Sequence, residues 1–309
     1  MKLDWRIRDW RYRHQISLSA RLLAWAALGI ATAWLLRAEA VRAELPKGVI
    51  VSSDLVYREV DGYRLRLDVY EPEFAESTGS NRRRPAILAI HGGGWRGGSK
   101  SDYGRSLLPL VRSGFVLIAV DYRLSRPRKP SWPGNLDDLR SALSWVQANS
   151  ERFGIDRGRI ALMGASAGGH LALLLGEVST LRRAVPPIRA VIDFYGPTDL
   201  DELRRSVPST IPATDLMIGG TPEFAPDRFT AASPIHRIEA SHPPTLMIHG
   251  TDDLMVPASQ SIAYADRLQS AGVRNDLILL SGIRHGFGLQ VGTRDLLPEI
   301  LRFLEEIWG

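Results

Sequence analysis

Ile160-Ala161-Leu162-Met163-Gly164-Ala165-Ser166-Ala167-Gly168-Gly169-His170-Leu171-Ala172-Leu173-Leu174-Leu175 is the stretch from which the organisation of the chain can be read. It opens with four apolar residues, turns on Gly-Ala-Ser-Ala-Gly, and continues as a run that is apolar apart from His170. A short apolar run bounded by glycine suits a strand buried on both faces, and Gly168–Leu175 suits a helix. The order strand, sharp turn, helix is the setting in which a G-x-S-x-G pattern carries chemistry. A serine at the apex projects its hydroxyl over the end of a sheet, and small neighbours let strand and helix approach closely. The helix that follows points its positive end at the same spot. A glycine-rich turn with an incidental serine would spell the same five letters, so the surroundings have to decide.

Working outward, Leu55–Val60 and Tyr63–Tyr70 read as strands separated by Asp61-Gly62, a strong hairpin signal. A polar loop, Glu73 to Arg84, ends in Arg82-Arg83-Arg84, read as a solvated lead-in to a strand. Short apolar runs then alternate with helix-length segments. The runs are Ala86–Ile90, Phe115–Val120, Ile160–Met163, Ala190–Phe194, Thr245–Ile248 and Asp276–Leu280. Leu136–Val146, Ser259–Ala271 and an amphipathic Leu296–Trp308 read as helices. The alternation predicts an α/β fold: a mostly parallel central sheet, helices on both faces, and an N-terminal antiparallel hairpin. Asp199–Pro244 is weakly periodic and is expected to be an irregular insertion above the sheet, not a separate domain.

His91-Gly92-Gly93-Gly94-Trp95 closes the run Ala86–Ile90. Three glycines let backbone N–H groups converge on one point, and such a loop after the third strand can hold an oxyanion. A phosphate loop is not expected, because no Gly-Lys-Ser/Thr follows. Ala167 N–H would complete the donor set. Trp95 is a candidate substrate contact, and His91 is expected to brace the loop rather than act as a base.

A serine hydroxyl needs a base, and the base an orienting acid, in chain order Ser, acid, His. His285, in Gly282-Ile283-Arg284-His285-Gly286-Phe287-Gly288 after the last strand, is where a base belongs. His170 lies in the elbow helix and is expected to pack beneath the sheet. His249 ends a strand, and His236 and His242 fall in the insertion. After Thr245–Ile248, the loop His249–Pro257 offers two carboxylates. Asp253 is the preferred acid and Asp252 the alternative, with helix capping the ordinary use of either.

Together, His91–Trp95, Asp121-Tyr122-Arg123-Leu124, Gly164–His170, Ala231-Ala232-Ser233-Pro234-Ile235, His249–Pro257 and His285-Gly286-Phe287 resemble the hormone-sensitive-lipase-like esterases of the α/β-hydrolase superfamily. The resemblance is closest to the BD-FAE-type branch of feruloyl and carbohydrate acetyl esterases and covers roughly residues 50–309. It implies an α/β-hydrolase fold with Ser166, Asp253 and His285 as triad and Gly93, Gly94 and Ala167 as oxyanion donors. It further implies small-molecule esters of short or aryl acyl groups as substrates, cleaved without cofactor or metal. One departure stands out: Arg126 separates Tyr122-Arg123-Leu124-Ser125 from Pro127, where the branch more typically runs straight into proline. An amidase such as a formamidase would use the same residues. A small-ligand receptor on a dead hydrolase would be expected to have lost the histidine, and a peptidase would need room for a further domain.

The 309 residues include no cysteine, which excludes disulfides, a cysteine nucleophile and thiolate metal sites. The net charge of +5 is uneven. Residues 1–43 hold eight Lys/Arg against three acids, and the remainder holds 31 of each sign. A basic face for nucleic acid is therefore not expected. Basic residues, an uncharged stretch Leu22–Leu36, and small residues through Ala43 follow the order of an export signal. Fifteen helical residues span roughly 22 Å, short for a ~30 Å hydrocarbon core, so a cleaved signal and a retained anchor both remain open. The expectation is a 1–43 export signal or membrane anchor, with association through residues 22–36, and a 46–309 catalytic domain outside the cytoplasm.

Overall fold

A computed structural model of the chain describes residues 48–73, 83–181 and 188–309. Residues 1–43, with the export or anchor reading, lie outside the described residues. Gly48–Gly309 forms one compact unit.

Eight strands build the sheet: β1 Val49–Val60, β2 Tyr63–Pro72, β3 Arg84–Ile90, β4 Val116–Val120, β5 Ile155–Ala165, β6 Ala190–Phe194, β7 Thr245–Gly250 and β8 Asn275–Leu280, in spatial order β1-β2-β4-β3-β5-β6-β7-β8. β2 runs antiparallel to both neighbours, and the pairs from β4 through β8 are parallel. The hairpin turns on Asp61 and Gly62, both at positive φ (50° and 76°), with Val60 opposite Tyr63. Two consecutive left-handed residues match the twist of the flanking strands, which is why Asp-Gly serves there.

The apolar runs read as buried strands because both faces are covered. On β3, Ala86, Leu88 and Ile90 pack into one cluster and Ile87 and Ala89 into the other. The period-2 geometry of a strand divides a continuous apolar run between two cores. The helices in chain order are α1 Lys100–Ser106, α2 Leu108–Arg112, α3 Gly134–Ala148, α4 Ala167–Leu181, α5 Leu200–Ser206, α6 Ile211–Ile218, α7 Pro226–Ala232, α8 Ser259–Ser270 and α9 Leu297–Trp308. Residues of α3, α4 and α8 enter the first cluster, and residues of α2 and α9 the second. In α9, Ile300, Phe303 and Leu304 are buried at helical spacing. Each side chain of that size contributes roughly 1.5–3 kcal/mol by leaving water.

Three expectations need correction. The insertion is more regular than expected: it folds as α5, α6 and α7 with two 3₁₀ turns, Pro208–Thr210 and Pro234–His236. Asp199 caps α5 by accepting from the Asp201 and Glu202 N–H groups. Buried Gln260 ties the insertion to α8, its Oε1 accepting from Thr198 and Asp199 N–H at 2.9 and 2.8 Å. Helices α1 and α2 were not expected, because Lys100–Ser106 is polar and Leu108–Arg112 is short. His170 does not pack beneath the sheet. It stands on the first turn of α4, where it bonds Trp95 and the carbonyl of Ala232. The extra residue at Arg126 makes a tight turn in which Arg126 and Lys129 exchange backbone hydrogen bonds.

Among the described residues, no helix is long and apolar enough to cross a membrane, and no group of three His, Cys, Asp or Glu could hold a metal ion.

Candidate active site

The sheet order decides which loops meet. Ser166 leaves the carboxyl end of β5, with β3 on one side and β6, β7 and β8 on the other. Neighbouring strands lie about 4.8 Å apart. The glycine loop after β3 is therefore one strand from Ser166, the acid loop after β7 two strands, and the loop after β8 three. Residues from the far strands must lean back over the sheet edge, and the structure shows them doing so.

Ser166 holds a φ of 55°, a strained value for a residue with a Cβ. The turn is locked by its own backbone, with Ser166 N–H donating to Phe194 O at 2.8 Å and His170 N–H to Ser166 O at 3.0 Å. The flanking glycines are needed for packing. A Cβ on Gly164 would stand 2.2 Å from Gly168 O, and one on Gly168 only 2.0 Å from Ile90 O. No side chain fits between β5, α4 and the end of β3.

Ser166 Oγ lies 2.9 Å from His285 Nε2, and His285 Nδ1 lies 2.6 Å from Asp253 Oδ2. A carboxylate only accepts, so Nδ1 carries the proton and Nε2 is left to accept from the serine hydroxyl. The second oxygen of Asp253, Oδ1, accepts from Met255 and Val256 N–H, both at 2.9 Å. His249, wholly buried, stands 3.4 Å from Oδ2 through Nε2, which also meets Val256 O, while Ser261 Oγ bonds its Nδ1. Burial pushes the Asp253 carboxyl up, but hydrogen bonds from His249, His285 and Val256 N–H outweigh it and hold the group well below the usual carboxylate range. Asp252 points elsewhere, exposed and accepting from Thr251 Oγ1 at 3.0 Å.

The glycine loop is folded by Arg96 and Gly97 N–H, which both donate to Gly93 O. Gly93 and Gly94 sit at φ of 114° and 59°. Ala167 is the first residue of α4, so its N–H has no acceptor within the helix. His91 stacks on Tyr122 with ring centres 4.4 Å apart, and the Tyr122 hydroxyl donates to His91 O at 2.9 Å. The Asp121-Tyr122-Arg123 stretch thus braces the loop from β4. Trp95 is buried, with its indole N–H donating to His170 Nδ1 at 3.1 Å, so only part of its wall meets the cavity. Burial drops the His170 imidazole to about 4, only partly offset by its bond to Ala232 O, and keeps it neutral.

Ser166, His285, Gly93, Gly94, Trp95 and Ala167 all line one cavity of about 660 Å³. Leu203, Ser209, Thr210 and Ala213 of the insertion form another wall. One contributor was not anticipated from the sequence. Tyr195, at the end of β6, lies between the serine strand and the acid strand with φ 44°. Its ring packs edge-on to His285 with centres 4.7 Å apart, and its hydroxyl donates to Phe287 O. A large aromatic at the carboxyl end of β6, flanked by strands bearing site residues, was the available signal.

The BD-FAE family model matches residues 67–268. The chain belongs to the BD-FAE family. The matched span holds Ser166 and Asp253, and His285 lies beyond it. Esterase LipC of Mycobacterium tuberculosis is 33% identical over 225 residues, covering 68% of this chain and 55% of its own. The probable carboxylic ester hydrolase LipM of the same organism is 32% identical over 269 residues, covering 83% of this chain and 61% of its own. This BD-FAE chain therefore spans little more than half the length of those relatives. Among solved structures it is similar to the thermophilic esterase Est2 of Thermogutta terrifontis with propionate bound, at 30% identity and a TM-score of 0.64, covering 84% of this chain and 92% of that one.

Proposed function

We propose that the protein is a serine hydrolase that cleaves carboxylic esters of short or aryl acyl groups through an acyl-enzyme. The observation that carries the reading is the pair of bonds meeting at His285, 2.9 Å to Ser166 Oγ and 2.6 Å to Asp253 Oδ2, on a serine held at positive φ. In this reading Ser166 Oγ attacks the ester carbonyl as His285 Nε2 takes its proton. Asp253 keeps the imidazole in the required tautomer and stabilises its charged form. The developing oxyanion is received by N–H groups of Gly93, Gly94 and Ala167, each donor lowering the barrier by about 3–4 kcal/mol. The C–O bond of the ester then breaks, and His285 protonates the leaving alcohol. Water enters, His285 takes its proton, and the acid departs from Ser166.

The substrate class draws support from the cavity, whose 660 Å³ suits a small molecule, since such sites run to about 300–1,000 Å³. The names of LipC and LipM, and the propionate in Est2, point the same way. The test is a panel of 4-nitrophenyl esters run beside a methyl ferulate ester and N-formylkynurenine. Hydrolysis of the acetate to butyrate esters, with the formamide slowest, is expected. Preference for N-formylkynurenine would move the assignment to an amidase.

A further inference from the structure

The residues lining the cavity include one with a permanent charge. Arg96 stands directly after the glycine loop, exposed, and no Asp or Glu shares the lining. Its side chain makes no ion pair and no hydrogen bond among the described residues. Several other arginines are committed to acids. Arg123 holds Asp138 and Asp61, Arg204 pairs with Asp215, and Arg237 pairs with Glu177. The Arg96 side chain passes near Gly94, where a Cβ would lie 3.9 Å from its Nε. It therefore lies close to one of the residues that receive the oxyanion in the reading above. Asp121, which follows β4, accepts from the Lys100 N–H through Oδ1 at 2.7 Å. A turn bonded to Trp95 adds to the charge. Ser125 N–H donates to Trp95 O at 2.8 Å, and the exposed turn that follows carries Arg126, Arg128 and Lys129.

An uncommitted guanidinium in the wall of an acid-free cavity offers a planar fork of donors that fits a carboxylate. We propose that Arg96 selects esters that carry a carboxylate close to the scissile bond. This rests on the ester-hydrolase reading and narrows its substrate class. The carboxylate of such a substrate would take two N–H bonds from Arg96 while the ester carbonyl lies against Gly93, Gly94 and Ala167. Positive potential from Arg96 and that turn would draw the anion toward the cavity, an effect that salt screens.

The test uses matched ester pairs that differ in charge. Monoethyl succinate against ethyl butyrate places the carboxylate on the acyl side. 4-Acetoxybenzoate against methyl 4-acetoxybenzoate places it on the leaving side. The quantity read is the ratio of kcat/KM for the anionic ester to that for its neutral partner, in the full chain and in Arg96→Ala and Arg96→Lys. For at least one pair the ratio should fall roughly five- to tenfold in Arg96→Ala, mainly through KM, and recover in part in Arg96→Lys. High salt should lower the ratio in the parent protein more than in Arg96→Ala. An unchanged ratio for both pairs overturns the proposal, as does a parent protein that cleaves only the neutral esters. Both results leave the ester-hydrolase reading intact, because the neutral esters are still hydrolysed. If no ester of either charge is cleaved, the reading itself fails.

Discussion

Asp253 holds His285 through one oxygen and its own loop through the other: Oδ2 meets Nδ1 at 2.6 Å, and Oδ1 accepts from Met255 and Val256 N–H. The carboxylate cannot rotate without losing two backbone bonds, so the imidazole is aimed by a fixed acceptor. Asp252, one residue earlier, faces out toward Thr251. Asp253→Asn keeps the shape but lets the imidazole take the wrong tautomer, and should cut kcat by roughly 10⁴-fold. Asp252→Asn should cost about tenfold or less, since it breaks only an exposed contact. Steady-state kinetics on both variants tests the assignment, and a larger loss at Asp252 would reverse it.

Gly93 carries a positive φ of 114°, and a Cβ there would stand 2.3 Å from Gly97 O. Gly93→Ala cannot be accommodated without shifting the loop and its N–H groups. Loss of one oxyanion donor costs about 10²–10³-fold in kcat, and that is the expected drop. The far-UV circular dichroism should be unchanged. A variant that keeps full turnover would remove Gly93 from the donor set.

Tyr195 supports His285 from below, edge-on at 4.7 Å. It packs on the imidazole and is expected to act by positioning it. Tyr195→Phe keeps the ring and loses the bond to Phe287 O, and should lower kcat less than about tenfold. Tyr195→Ala removes the support, and displacement of the base by about 1 Å can cost 10²-fold. In both variants kcat should fall more than KM rises. An effect confined to KM would make Tyr195 a substrate contact instead.

Asp193 lies wholly buried at the end of β6, accepting from Gly196 N–H at 3.0 Å through Oδ1. Burial pushes its carboxyl up to about 7, more than His249 and the Gly196 N–H pull it down. The unfolded chain releases that proton near 3.9, so the folded state holds it over the window between. Asp193 therefore weighs against folding increasingly as pH rises from about 4 to about 7, and no further above that. Asp193→Asn should gain thermal stability relative to the parent at pH 8 and lose that advantage at pH 4. Parallel melting curves that keep a constant offset across that range would contradict the shift.

The fold and much of the site were legible because their signals are local. Ile160–Leu175 spells strand, turn and helix within sixteen residues, and the apolar strands were visible because both faces are covered. His285 followed from chain order together with its place in the loop after the last strand. What the sequence did not reveal depends on distant partners. Helix α1 has no apolar stripe and is held by Lys100, whose Nζ meets buried Asp68 at 2.8 Å. The insertion takes its order from Gln260, some sixty residues downstream. Tyr195 gains its place beside His285 only because β5 and β7 flank β6. The choice between Asp252 and Asp253 depended on which way one loop turns.

The central claim is that Ser166 forms the covalent bond to substrate, and a fluorophosphonate reports on it directly. The reagent reacts with a serine only when a base and an oxyanion site activate it. Intact-mass spectrometry should show the parent protein gaining one adduct, mapped by digestion to the peptide that carries Ser166, with loss of ester hydrolysis in step with labelling. Ser166→Ala, folded by circular dichroism, should gain none. Stoichiometric labelling of Ser166→Ala, or ester hydrolysis that survives its substitution, would contradict the account.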